Sequence, residues 1–388
     1  MSNMPLDALL RYLGQDPGNL SLRKDVIRAA FDAAQWAPAR AVIDGGLAQA
    51  PDDPALLAYS GFAYLQARRY GDAERVLSTA IERGLDAPEP RYNLAFARFA
   101  LGRHEEALGE LSNANLCAAV PLALLLRVRC LHHLQRHEEA ITACLAYLQV
   151  APDSADGHGV LALLLQEAGR VEEAEAHVAA AFARDPQQLE AMLAFASIQQ
   201  EAQDLATARS CFAKLVEIHP GCGRGWLGLG LVELTDLRVE VAKQRIERAA
   251  ACMPLHIGTW HVLAWTCLMQ GDVDAAERAF VKAMAINRTF GETHGGLAAI
   301  SALRGRGDEA REGIRRALRL DPRCMSARFA ELVLLQHAGK RDEARAVLET
   351  FLNQRAPGRD VLFRDLVATH VRYIQARDGA QGARPTVH

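Results

Sequence analysis

The chain has 388 residues, half of them apolar, 23% charged and 6% aromatic, which is the composition of a folded chain, and its many alanines favour helix over sheet. A net charge of -3 excludes a global basic field of the kind that draws proteins to nucleic acid or anionic membranes. The eight cysteines form no CxxC pair and are irregularly spaced, so they are expected as small core residues in a reducing compartment rather than as zinc ligands or disulfides.

The N-terminus carries no basic region followed by a long apolar run, and the longest apolar stretch, 116–126, is interrupted by Pro121. Neither a signal peptide nor a membrane span is predicted, and a cytoplasmic protein is expected. Leu6, Leu9, Leu10 and Leu13 at helical spacing, closed by Asp16 and Pro17, predict a capping helix within 1–19 that equals half a repeat. Repeats then start near Leu20, Pro54, Pro88, Pro121, Ala155, Leu189, Gly223, Ile257, Gly291 and Met325, ten units spanning 20–356 with a one-residue contraction before Pro121. Beyond Pro357, the apolar spacing of Phe363, Val367, Val371 and Ile374 predicts a second capping helix over 357–378, and 379–388 is expected to be a disordered tail.

Within each unit the pattern reads as two short antiparallel helices, A and B. The first turn of B holds Ala in every unit: Ala39, Ala73, Ala107, Ala140, Ala174, Ala208, Ala242, Ala276, Ala310 and Ala344. A larger side chain there would hold the two helices apart. Four residues on, a bigger apolar residue such as Leu77, Phe212, Ile246 or Phe280 fills the gap, with Cys144 the exception. Gly102, Gly169, Gly271, Gly305 and Gly339 end A helices, and Pro51, Pro152, Pro186, Pro220, Pro254 and Pro322 close B helices.

The block 223–254 concentrates the pattern in Trp226, Leu229, Gly230, Ala242, Ile246, Ala249 and Pro254, which recurs every 34 residues. It resembles the tetratricopeptide repeat. The resemblance implies an all-α, right-handed α-solenoid, a superhelix of tandem helix-turn-helix units. It departs from the family at the first aromatic, supplied only by Trp226 and Trp260, and at the Tyr, supplied only by Tyr64. The alanine-rich, arginine-rich composition suggests a bacterial source.

Catalytic signatures are missing: there is no HExxH, GxSxG, phosphate-binding loop or dinucleotide fingerprint, so no enzyme, metal or cofactor is expected. His104 and His137 read as helix-start residues, and an inter-helix turn separates His133 from His137.

By resemblance, helix A lines a concave groove through its second, fifth, sixth, ninth, twelfth and thirteenth positions. Those columns hold Tyr59, Phe62, Leu65, Tyr92, Asn93, Phe96, Phe99, Leu122, Leu125, Leu126 and Arg129, and further along Leu227, Leu231, Leu234, His261, Trp265, Leu268 and Met269. Large apolar residues on such a face point to a partner. The family's carboxylate clamp is not reproduced: the first repeat offers Lys24 and Arg28, but Tyr59, Glu89 and Asn93 stand where the rest of it belongs. The expectation is a non-enzymatic scaffold, monomeric or weakly dimeric, that binds an amphipathic helix or apolar peptide of a protein partner. A chaperone or assembly factor for a secreted or envelope component is the alternative; a nucleic-acid partner is disfavoured.

Overall fold

A computed structural model describes residues 4–354 together with 362, 364 and 365. The expected helix at 357–378 and the tail at 379–388 lie outside the described residues, apart from those last three positions.

The chain is all-α, and its contacts divide it into two compact units, Met1–Ala194 and Phe195–His388. The first unit opens with α1 (Leu6–Gln15). Helix pairs follow: α2 and α3 (Leu20–Asp32, Trp36–Gln49), α4 and α5 (Pro54–Gln66, Tyr70–Glu82), and α6 and α7 (Pro88–Ala100, His104–Leu111). After the short α8 (Ala114–Ala119) come α9 and α10 (Leu122–His133, His137–Val150), then α11 and α12 (Ala155–Glu167, Val171–Phe182). The division falls within α13 (Leu189–Glu201). The second unit continues through α14 (Leu205–Ile218), α15 and α16 (Gly223–Thr235, Val239–Cys252), and α17 and α18 (Ile257–Met269, Val273–Ile286). It ends with α19 and α20 (Gly291–Leu303, Gly307–Leu320) and with α21 and α22 (Met325–His337, Arg341–Leu352).

Four devices recur among the hairpins, the first two in all ten and the others in about half. The alanine column is fully buried from Ala39 to Ala310, and Ala344 is 6% exposed, so the helices of each pair touch along it. The turn from A to B places one residue in the left-handed region. Where that residue is glycine (Gly102, Gly169, Gly271, Gly305, Gly339) φ is 70 to 77°, and where it is Ala34, Arg68, Gln135, Gln203 or Leu237 φ is 52 to 62° at the steric cost of a Cβ.

The third device is a ring N–H donor at the fourth residue of A. Trp226 Nε1 donates to the Pro220 carbonyl at 2.9 Å, and Trp260 Nε1 to that of Pro254 at 2.9 Å. His158 Nε2 and His294 Nε2 make the same bond to the carbonyls of Pro152 and Arg288, at 2.9 and 2.8 Å. The missing aromatics are thus replaced chemically at two positions by histidine.

The fourth device sits at the start of B. Arg69, Arg136, Arg170, Arg306 and Lys340 each pair with an acid three residues on, supporting the helix start where carboxylates also favour the positive end of the helix dipole.

In the third repeat the B helix breaks after Leu111. The Asn113 side chain accepts from the N–H groups of Asn115 (2.9 Å) and Leu116 (3.3 Å) to start α8, and this break accommodates the one-residue contraction.

All eight cysteines are free; Cys130, Cys144, Cys267 and Cys324 are buried, whereas Cys252 is exposed. Burial pushes the Cys130, Cys144 and Cys324 thiols up to about 12, which keeps them protonated.

Candidate partner-binding surface

In the first unit the A helices present a run of half-buried aromatic side chains. Phe31, near the end of α2, lies 5.0 Å from Phe62 and 6.0 Å from Tyr59, centroid to centroid, both edge-on. Trp36, at the start of α3, lies 5.8 Å from Phe31 and 6.2 Å from Phe62 and is 42% exposed. Edge-to-face packing at such distances fixes ring positions without covering every face. Phe96 meets Tyr70 edge-on at 6.4 Å, and Tyr92, Phe96 and Phe99 pack against the core formed by Ala95, Leu111, Leu116 and Leu126.

Two cations that border this face, Lys24 and Arg129, are paired within the protein. Lys24 Nζ bonds Asp53 Oδ2 at 2.8 Å. Burial tends to raise the Asp53 carboxyl, but the Lys24 bond and the N–H groups of Leu56 and Ala55 outweigh it and hold the group below its usual range. Arg129 donates to Glu190 Oε1 at 3.0 Å. Burial pushes the Tyr92 phenol up, with nearby Arg129 opposing, so Tyr92 is neutral at physiological pH. Asn93 is half-buried beside them. The surface is therefore aromatic, with ion pairs at Lys24 and Arg129 and the exposed carboxylate of Glu89 on α6.

Of the expected groove residues, Tyr59, Phe62, Tyr92, Asn93, Phe96, Phe99 and Arg129 fall on this face. Leu125 does not: it is 3% exposed and belongs to the core. In the second unit Leu231 is half-buried, whereas His261 is 9% exposed. The His261 Nε2 atom bonds Thr293 Oγ1 at 2.8 Å, and its ring lies edge-on to Phe280 and Phe290. Burial pushes its pKa down, so it is a neutral packing residue. Trp265 is half-buried between Phe280 (5.9 Å) and Phe329 (5.2 Å).

Three surface aromatics escaped the column reading. Phe31 and Phe329 occupy the twelfth and fifth positions of their helices, columns already used for Phe99 and Tyr92, so extending the alignment to the end repeats finds both. Trp36 belongs to a B helix and carries no such signal. Among the described residues no group of three or more His, Cys, Asp or Glu is arranged to hold a metal ion, and no helix is long and apolar enough to cross a membrane.

Comparison with known proteins agrees with this architecture. Sequence profiles described as tetratricopeptide repeat match residues 61–116, 112–155 and 299–360, a second matches 165–230, and a third 258–281. The chain is a tetratricopeptide repeat protein. Among solved structures it is similar to the human IFIT1 dimer with PPP-AAAA, at 14% identity and a TM-score of 0.57, covering 94% of this chain and 91% of that one. The Pseudomonas aeruginosa pilF structure aligns at 16% identity and a TM-score of 0.46, covering 57% of this chain and 97% of that one. YrrB, described as a protein with an unusual peptide-binding site, aligns at 18% identity and a TM-score of 0.42, covering 48% and 97%. At 14% identity the likeness to the IFIT1 structure extends to the fold alone. No curated protein matches.

Proposed function

We propose that this protein is a non-enzymatic scaffold that holds an amphipathic helix or apolar peptide of a protein partner on the A-helix face of its first unit. The tetratricopeptide fold supports a protein-interaction role in general. The observation that carries the finer reading is the run of half-buried rings from Tyr59 and Phe62 through Tyr92, Phe96 and Phe99, standing on adjacent A helices. Aromatic anchors of this kind dominate the binding energy of protein interfaces.

Because Lys24 and Arg129 are already paired, an acidic C-terminal tail finds no free cation at the centre of this face. Met1–Ala194 carries 17 basic and 25 acidic side chains, which favours a partner helix whose polar face is basic. Leu231 and Trp265 belong to a separate, second surface in Phe195–His388 for which the same chemistry holds.

The test is site-specific photocrosslinking in the native organism from positions 62 and 96, followed by affinity measurement with the captured partner. Single substitutions of Tyr59, Phe62, Tyr92 and Phe96 by Ala are expected to weaken binding by about 1–4 kcal/mol at the best anchors. Crosslinks that fail to form there, or variants that melt early while their folded fraction binds normally, would return these rings to a structural role.

A further inference from the structure

A cluster of four imidazoles borders Phe99 where the third, fourth and fifth repeats meet. The rings of His104, the first residue of α7, and His133, the last of α9, stack at 4.5 Å with an interplanar angle of 12°. Phe99 touches both, at 5.3 and 5.4 Å. On the other side of the cluster His132 Nε2 lies 2.7 Å from Glu167 Oε2. A carboxylate only accepts, so that nitrogen carries the hydrogen.

Two nitrogens of the cluster are buried with no hydrogen-bond partner in the protein, His104 Nδ1 and His137 Nδ1, and their surroundings differ. His137 Nε2 donates to Gln135 Oε1 at 3.1 Å, and its Nδ1 lies 3.9 Å from Glu167 Oε2. His104 Nδ1 has no acceptor in the protein, and a buried N–H without an acceptor is costly, so a proton there drives the ring out of the stack to reach water. The stack also resists a proton on both rings at once, since two cations would then lie face to face.

The charged groups around the cluster are mostly committed to one another. Arg103, before α7, bonds Glu74 at 2.8 Å, and Arg136, before α10, bonds Glu139 at 2.7 Å and stands 4.0 Å from Glu105. On α10 Glu138 interacts with Arg170, which precedes α12 and pairs with Glu173, and on α11 Glu167 is the carboxylate facing the imidazoles. Burial holds His104 below the ordinary imidazole range.

We propose that this cluster is an acid-opened latch on the aromatic face: when His104 takes up a proton from solvent it swings away from His133 and uncovers the edge of Phe99, while His132 stays bonded to Glu167. Its consequence, a partner held differently at neutral and acidic pH, rests on the function proposed above; the opening itself does not.

Hydrogen exchange on the full chain at pH 7.5 and 5.5, corrected for the chemical pH dependence of exchange, reads the latch without a partner. Acidification is expected to speed exchange across 100–108 by about fivefold, the effect of roughly 1 kcal/mol of lost protection, while 163–170 exchanges no faster. His104→Gln and His104→Phe both remove the titrating nitrogen, the second keeping a ring on His133, and each should abolish the acceleration. Equal acceleration in wild type and in both variants, or none in wild type, would overturn the latch. The groove reading fails separately, if photocrosslinks from positions 62 and 96 do not form at either pH.

Discussion

The two units fill the gap inside a hairpin, four residues after the alanine column, with side chains of different size. In Met1–Ala194 that position holds Ile43, Leu77, Leu111, Cys144 and Val178, aliphatic or sulfur side chains all 5% exposed or less, while half-buried rings stand on the A helices from Phe31 to Phe99. In Phe195–His388 the B helices supply Phe212 and Phe280, 1% and 0% exposed, and the A helices make room with glycine. A Cβ on Gly228 would sit 2.4 Å from Phe212 Cζ, and one on Gly296 2.4 Å from Phe280. Volume sent inward holds a hairpin together, whereas volume left on the face is available to a partner. One repeat pattern can therefore serve two ends.

The largest expected effect separates these uses directly. Phe280→Ala should cost about 3–5 kcal/mol, as for a buried ring, and Phe96→Ala well under that. Because repeat arrays open locally, the comparison is best made from hydrogen-exchange protection of α17–α20 and α6–α7 rather than from one global melt. Equal losses at the two sites would erase the contrast between the units.

A smaller contrast lies in two glycines. Gly296→Ala drives a methyl into the Phe280 ring and should destabilise by about 1–3 kcal/mol. Gly109, inside α7 with nothing within 4 Å of its added Cβ, should gain roughly 0.5–1 kcal/mol as Ala. Chemical denaturation of the two variants checks both signs.

The inter-helix turns sharpen the point further. Leu237 sits at φ 58° where Gly271 occupies the equivalent turn at φ 76°. Leu237→Gly removes about 1–2 kcal/mol of left-handed strain, offset in part by the freer unfolded chain, for a net gain of roughly 0.5–1 kcal/mol. A loss of stability would mean that the Leu237 side chain contributes packing its 49% exposure does not suggest.

The most distributed effect is that of pH, and it should touch both units. Burial pushes His104, His177, His256 and His261 below the usual 6.5, with the neighbouring His158 adding to the effect at His177. The unfolded chain then binds these protons more readily than the folded one. Their stabilising contribution is complete above pH 6.5 and is lost as pH falls through the lowered folded values. Thermal melts from pH 7.5 to 5.5 should decline, and a rise on acidification would contradict the burial of these rings.

Much of the helical pattern can be read along the chain. The period of 34, the alanine column and the glycine stops are local: each follows from the contact between one A helix and its own B helix, which the spacing alone specifies. The placing of Tyr59, Phe62 and Phe96 on one face follows from the resemblance to the tetratricopeptide repeat, which names the helix A columns that line its groove.

Whether a side chain stays on that face is decided by its neighbours. Leu125 and His261 sit in binding columns yet are buried, the first among its core neighbours and the second held by Thr293 and Phe280 from the next two hairpin elements. Trp36, invisible to the column rule, reaches Phe62 because the turn at Ala34 brings α3 back beside α2. The imidazole cluster likewise gathers His104, His133, His137 and Glu167 from four helices whose spacing in the chain gives no sign of contact. Sequence periodicity settles the hairpins because their contacts are short-range; burial and the charge around each ring depend on volumes contributed from other repeats, and only the packed structure sums those.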